Sequence, residues 1–147
     1  MKIAVGSDER THVTDYVVQE LKKQGHELEL YGPLNDEQIQ WTDVAHQVAQ
    51  SVKDGQSEQG VLFCWTGTGV SIAANKVPGI RAALCGDAQT AEGARKWNDA
   101  NVLAMSLRTT SQIVAKEILE AWFSAAPEED EKENISKVTQ IERKYTK

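Results

Sequence analysis

Apolar residues recur along this chain in two alternating spacings, and the alternation predicts its architecture. Short apolar runs at Lys2–Ser7, Glu27–Tyr31, Val61–Cys64, Ile80–Cys85 and Val102–Ser106 read as five strands. Between them lie segments of helical spacing. Val13, Tyr16, Val17 and Leu21 share a face of a helix running to Gln24, which Gly25 stops. Thr42 or Asp43 is placed to cap a helix carrying Val44, Ala45, Val48, Ala49 and Val52, ending near Asp54-Gly55. A helix is expected from about Ser71, another over Ala88–Lys96, and a last one over Ser111–Phe123 with Ile113, Val114, Ile118, Leu119 and Trp122 on one face. Strand and helix in strict alternation predict an α/β fold, a parallel sheet covered on both faces.

The pattern changes after Trp122. Pro127–Glu133 is a charged run, and Asn134–Tyr145 has Ile135, Val138 and Ile141 at helical spacing. This divides the chain into a domain over 1–125 and an appendage over 126–147. Two readings of the appendage stand: a solvated linker with a helix docked on the surface, or an arm that reaches a second subunit.

Composition narrows the function classes. The 147 residues suit one domain. A net charge of −6 with no basic stripe speaks against nucleic acid as a partner. No apolar run approaches the ~20 residues of a membrane span, and no leader-like segment precedes the first strand, so a cytoplasmic protein is expected. Two cysteines, Cys64 and Cys85, form no disulfide framework, and three scattered histidines offer no zinc spacing, so no zinc site is expected.

Chemistry is concentrated where strands end, because ligands of open α/β sheets bind outside the carboxyl ends. The third strand runs into Cys64-Trp-Thr-Gly-Thr-Gly69 and then a helix start. That order aims several backbone N–H groups at one point, beside a thiol and the Thr66 hydroxyl. A thiol so placed has the makings of a thiolate base or nucleophile. The first strand delivers Asp8, with Glu9 and Arg10 beside it, and the fifth leads to Arg108. Each has a plainer reading: Cys64 as a small core residue, Asp8 as a helix cap, Thr66 and Thr68 as loop hydrogen-bonders, Asn98, Asp99 and Asn101 as a turn. Cys85, His26 and His46 read as structural or surface residues, and His12 either overhangs the Asp8 cleft or lies on the surface.

Taken together, Gly6-Ser-Asp8, Cys64-x-Thr-Gly-x-Gly-x-Ser-Ile-Ala-Ala-Asn-Lys76, Gly79-Ile-Arg-Ala-Ala-Leu-Cys85 and Asn98-Asp-Ala-Asn-Val-Leu103 resemble the ribose-5-phosphate isomerase B / galactose-6-phosphate isomerase family. The likeness is collinear from Met1 to about Trp122. It implies a Rossmann-like three-layer α/β/α sandwich and a homodimer or tetramer with active sites between subunits. It also implies cofactor-free interconversion of aldose and ketose phosphates through a cis-enediol(ate). By the same resemblance Cys64 is the base, Thr66 moves protons between O1 and O2, and Asp8 orients the sugar. The amides of Gly67, Thr68, Gly69, Val70 and Ser71 form the anion hole. Trp41 takes a tyrosine position, and Asn98 and Arg108 match ligand-contacting positions, the latter toward phosphate.

The departures are selective. Glu9-Arg10-Thr11 replaces His-Ala-Gly, Trp97 replaces the ring-opening histidine, and the phosphate arginines fall on roughly Glu133 and Lys137. A carboxylate repels a phosphate that an arginine would clamp. Proton transfer is thus intact while ring opening and phosphate clamping are altered. The sequence points to an isomerase that does not prefer ribose 5-phosphate. It acts either on a short-chain substrate such as a tetrose phosphate or on another sugar read by Arg10, Arg108, Lys137 and the Trp41/Trp97 pair. A non-catalytic sugar-binding protein, or partner subunit of an active paralogue, is the alternative. A dinucleotide-binding module and a thiol hydrolase fit less well, since the glycines follow the third strand and no histidine opposes Cys64.

Overall fold

The computed structural model describes residues 1–146. Five parallel strands, β1 (Lys2–Ser7), β2 (Glu27–Tyr31), β3 (Gln59–Cys64), β4 (Ala82–Leu84) and β5 (Val102–Ser106), form one sheet in the order β2-β1-β3-β5-β4. Six helices accompany them: α1 (His12–Lys23), α2 (Trp41–Lys53), α3 (Thr68–Ala74), α4 (Ala88–Asn98), α5 (Gln112–Ser124) and α6 (Lys132–Tyr145). The fold is a parallel sheet covered on both faces, as the alternation predicts, and a Rossmann-like α/β/α sandwich, as the resemblance implies.

Side-chain alternation along the strands builds two cores. Ile3, Val5, Val61, Phe63, Leu103 and Met105 face α1, α4 and α5, where Val17, Leu21, Ala94, Ile118, Leu119 and Trp122 meet them. Ala4, Leu62, Cys64, Val102 and Ala104 face α2 and α3, where Val44, Val48, Val70 and Ala74 complete the second layer. Small residues on this second face let α2 come close. A Cβ on Gly6 or Gly60 would stand 2.7 Å from a methyl of Val44 or Val48.

Three boundaries differ from the sequence reading, each for a local reason, and two residues are buried differently from expectation. Helix α2 starts at Trp41 with Gln40 as a cap that makes no side-chain bond, so neither Thr42 nor Asp43 caps it. Helix α3 starts at Thr68, three residues early, because Gly67 takes a left-handed φ of 77° and turns the chain directly into the helix. Strand β4 is confined to Ala82–Leu84, since the Arg81 amide bonds to the Asn101 carboxamide instead of a strand. On α5, Ile113 is 72% exposed and lies off the buried face. His26, expected on the surface, is half-buried beside the Phe123 ring and bonded to the Met1 amino group.

β4 is an edge of the sheet, and Asn75 occupies its open side. The Asn75 carboxamide accepts from the Ala82 N–H at 2.7 Å and donates to the Ala82 carbonyl at 3.0 Å, as a neighbouring strand would. The appendage folds back on this side of the chain. The Glu128 N–H donates to the Lys96 carbonyl, and the Gly79 N–H donates to Glu142 Oε1 at 2.8 Å. None of α6 is buried: Val138 and Ile141 are 48% and 61% exposed.

Candidate active site

Parallel strands place their carboxyl ends on one edge of the sheet, and the chemistry-bearing loops gather there. The register sets Ser7 beside Phe63 and Cys64 beside Ser106, so Asp8, Cys64 and the turn after β5 share this edge. Cys64 ends β3 at 6% exposure, its sulfur belonging to the α2/α3 core. It is neither free in solvent nor sealed, but sits where the apolar core stops.

The loop after Cys64 is tied down on both sides. The Leu107 N–H donates to the Cys64 carbonyl at 3.0 Å, and the Arg108 N–H to the Trp65 carbonyl at 2.9 Å. The same Trp65 carbonyl accepts from the Ser106 hydroxyl at 3.0 Å. Thr66 and Thr68 hydroxyls share a hydrogen bond of 2.7 Å. Gly67 is required on two counts: its φ is positive, and a Cβ there would stand 2.6 Å from Leu84 Cδ1 and 3.0 Å from the Met105 carbonyl carbon. Gly69 lies under the Trp41 ring, whose Cε3 would be 2.8 Å from a Cβ. Ser71 donates its amide to the Gly67 carbonyl, the first bond of α3. The amides of Thr68, Gly69 and Val70 therefore remain as the first-turn donors without intrahelical partners. Val70 is fully buried, so its side chain offers nothing to a ligand, and Ser71 keeps its half-buried hydroxyl.

Asp8 follows β1 and does not cap α1; Thr11 does, in a reciprocal pair with Thr14. Asp8 Oδ1 is buried without a hydrogen-bond partner, and burial, reinforced by Glu9, pushes the carboxyl above its ordinary range. A carboxylate with an unspent acceptor beside a donor-lined loop is ready to receive a hydroxyl. Glu9 and His12 are exposed. Arg10 turns to Asp15, with Nε donating to Oδ1 at 2.8 Å, in a groove lined by Val18, Lys22, Leu30 and Leu34. Its guanidinium is engaged away from Cys64. Arg108 is exposed at the carboxyl edge.

Trp97, Asn98 and Lys137 lie elsewhere. Helices of a parallel sheet run back against the strands, so the end of α4 falls at the amino edge, a strand length of roughly 15 Å from Cys64. There an open groove of about 730 Å³ runs between β4 and α6, lined by Asn98, Arg81, Val138, Ile141, Glu142 and Tyr145 among others. Trp97 packs across Gly93 and is 52% exposed. Lys137 on α6 is paired with Glu133 at 3.7 Å. The turn after Asn98 is held by Asp99, left-handed at φ 48°, whose side chain bridges Arg81 at 3.4 Å and Arg95 at 3.2 Å. A single chain thus brings Asp8, Trp41, Cys64, Thr66, the amide loop and Arg108 to one edge, and holds Trp97, Asn98 and Lys137 at the other.

Sequence reasoning missed Trp65 and Ser106. Trp65 is visible as a bulky apolar residue inside a glycine loop, whereas the bond from Ser106 to the Trp65 carbonyl spans 41 positions and leaves no local signal. Asp99 makes the turn expected of it, with Arg95 only four positions away. Cys85 is fully buried, and burial beside Asp87 pushes its thiol up to about 12, so it is a core residue. Among the described residues no group of three or more His, Cys, Asp or Glu is arranged to hold a metal ion, and no helix is long and apolar enough to cross a membrane.

This arrangement has close counterparts. Residues 3–141 match the family described as Ribose/Galactose Isomerase. The D-erythrulose-4-phosphate isomerase of Pectobacterium atrosepticum is 40% identical over 85% of this chain and 84% of its own length. The ribose-5-phosphate isomerase B of Escherichia coli is 37% identical over 97% of each chain. The structure of Clostridium thermocellum ribose-5-phosphate isomerase B superposes with a TM-score of 0.93 at 38% identity, covering 99% of this chain and 100% of that one. With a strand-end thiol, a rigid amide loop and a family match over nearly its whole length, the chain belongs to the ribose/galactose isomerase family and is an aldose–ketose isomerase of the sugar-phosphate type.

Proposed function

We propose that this protein interconverts the aldose and ketose forms of a four-carbon sugar phosphate, with Cys64 as the base. The observation that carries the substrate class is Trp97, which stands where the resemblance expects a ring-opening histidine and has no basic nitrogen with which to take up and pass on a proton. A tetrose with phosphate on O4 has no hydroxyl left to close a furanose, so it reaches the enzyme open-chain and needs no such histidine. The likeness to D-erythrulose-4-phosphate isomerase agrees with this reading.

In the aldose-to-ketose direction the Cys64 thiolate removes the proton from C2, and the electrons move to the C1 carbonyl oxygen. The resulting enediolate is held by the Thr68, Gly69 and Val70 amides, donors that need no reorganisation because the loop is already fixed. Thr66, its hydroxyl partnered by Thr68, passes the O2 proton to O1. Cys64, whose thiol proton exchanges with water, then delivers a proton to C1. Asp8, with its unspent acceptor, orients a substrate hydroxyl.

The separation of the two residue groups supports a homodimer in which each site is shared: the carboxyl edge of one copy supplies the chemistry, and Trp97, Asn98 and Lys137 come from the other. In this reading the 126–147 appendage, docked on its own chain at Glu142, offers the exposed Val138–Ile141 face to the second copy. Assays of tetrose 4-phosphates, pentose 5-phosphates, hexose 6-phosphates and the free sugars test the proposal. The tetrose phosphate should have the highest kcat/KM, and ribose 5-phosphate emerging as the best substrate refutes it.

A further inference from the structure

Trp65 separates the proposed base from the proposed proton shuttle in sequence, and the mechanism above gives it no part. It is 56% exposed, whereas Trp122 is 1% exposed with its indole N–H bonded to Gln59. The Trp65 indole N–H makes no hydrogen bond among the described residues. A single exposed indole is ordinary on a protein surface, but this one stands between Cys64 and Thr66, so whatever binds those two side chains lies beside it.

Its base is among the most firmly held points of the loop. The Trp65 carbonyl accepts from both Ser106 Oγ and the Arg108 amide, and the preceding carbonyl accepts from Leu107. The indole therefore projects from a fixed backbone. The donor loop begins at Trp65 and reaches Gly69, which lies under a second indole, Trp41. The loop thus carries an aromatic residue at each end, Trp65 before the Thr68–Val70 amides and Trp41 over Gly69.

We propose that Trp65 is a chain-length determinant: its indole occupies the space that the distal carbons of a five- or six-carbon sugar phosphate need, leaving room for a four-carbon chain lying against the ring. This inference rests on the four-carbon reading above and extends it, since Trp97 explains why a ring is not opened, while Trp65 explains why a longer open chain is refused. An aromatic wall suits the purpose because steric exclusion discriminates against the longer substrate without removing any donor the shorter one uses.

The test compares full-length wild type, Trp65→Ala and Trp65→Phe on a tetrose 4-phosphate and a pentose 5-phosphate, with thermal unfolding and oligomeric state recorded for each. Trp65→Ala should raise the pentose-to-tetrose ratio of kcat/KM by about 10- to 200-fold, the range one carbon unit is worth in a fitted pocket. Trp65→Phe, which keeps part of the wall, should give a smaller shift in the same direction, so the prediction does not hang on one variant. Equal losses on both substrates, or a change of oligomeric state with the ratio unmoved, overturn the inference while leaving the four-carbon reading intact. A wild type without tetrose phosphate activity overturns both.

Discussion

At the carboxyl edge of the sheet the loops are short, glycine-bearing and bonded to one another, whereas the amino edge presents an open groove, a lightly held helix and long exposed side chains. The first edge has the properties of a place where bonds change: fixed amides, a thiol where the core ends, and a carboxyl raised by burial. The second has the properties of a place that recognises something. Its Asn98 turn is clamped through Asp99 by two arginines, yet its apolar α6 face is open. On the proposed shared-site reading, one chain would hold both halves of a site that it cannot assemble alone, because the length of a β-strand keeps them apart.

The largest expected effect tests the chemical edge. Cys64→Ala should lower kcat by about 10²–10⁴-fold, the usual contribution of a positioned base, with little change in substrate affinity. Cys85→Ala should leave turnover unchanged, since its thiol, pushed up to about 12 and fully buried, takes no part. Comparable losses for the two cysteines would erase the contrast between edge and core.

The sharing of sites between copies is broken or confirmed by mixing. Cys64→Ala and Asn98→Ala proteins, each impaired alone, should regain part of the activity when unfolded together and reassembled, because some mixed dimers carry one site with neither substitution. If the mixture shows only the sum of its parts, the amino edge serves its own chain or no chain.

A smaller effect concerns Asp8. Burial first, and Glu9 second, raise its carboxyl, so the folded chain holds that proton more tightly than the unfolded one. Its contribution to stability therefore declines as pH climbs from the ordinary carboxylate range through the raised value, and at neutral pH the ionised group is a cost. Asp8→Asn should melt slightly higher than wild type at neutral pH, lose that advantage in acid, and turn over more slowly. A lower melting temperature at neutral pH would mean the carboxylate is paired rather than unspent.

The sheet was legible in the sequence because its signal is local: five apolar runs at strand length, each followed by helical spacing, leave few topologies. Boundaries failed where a tertiary bond replaced the expected local device. Gly67 starts α3 early through its left-handed φ, and Asn101 takes the Arg81 amide away from β4. The site was half legible. Cys64, Thr66 and the glycine loop lie within six residues and could be read as a unit. That Trp97, Asn98 and Lys137 lie across the sheet from them follows only from helices running back against strands, and the pinning of Trp65 by Ser106 joins residues 41 positions apart.

Deuterium wash-in tests the central claim most directly. In heavy water, wild type should introduce one deuterium at the carbon next to the carbonyl of a tetrose 4-phosphate as aldose and ketose interconvert, read by NMR, and Cys64→Ala should introduce essentially none. Wash-in by Cys64→Ala at the wild-type rate would assign the proton transfer to another group and contradict the account.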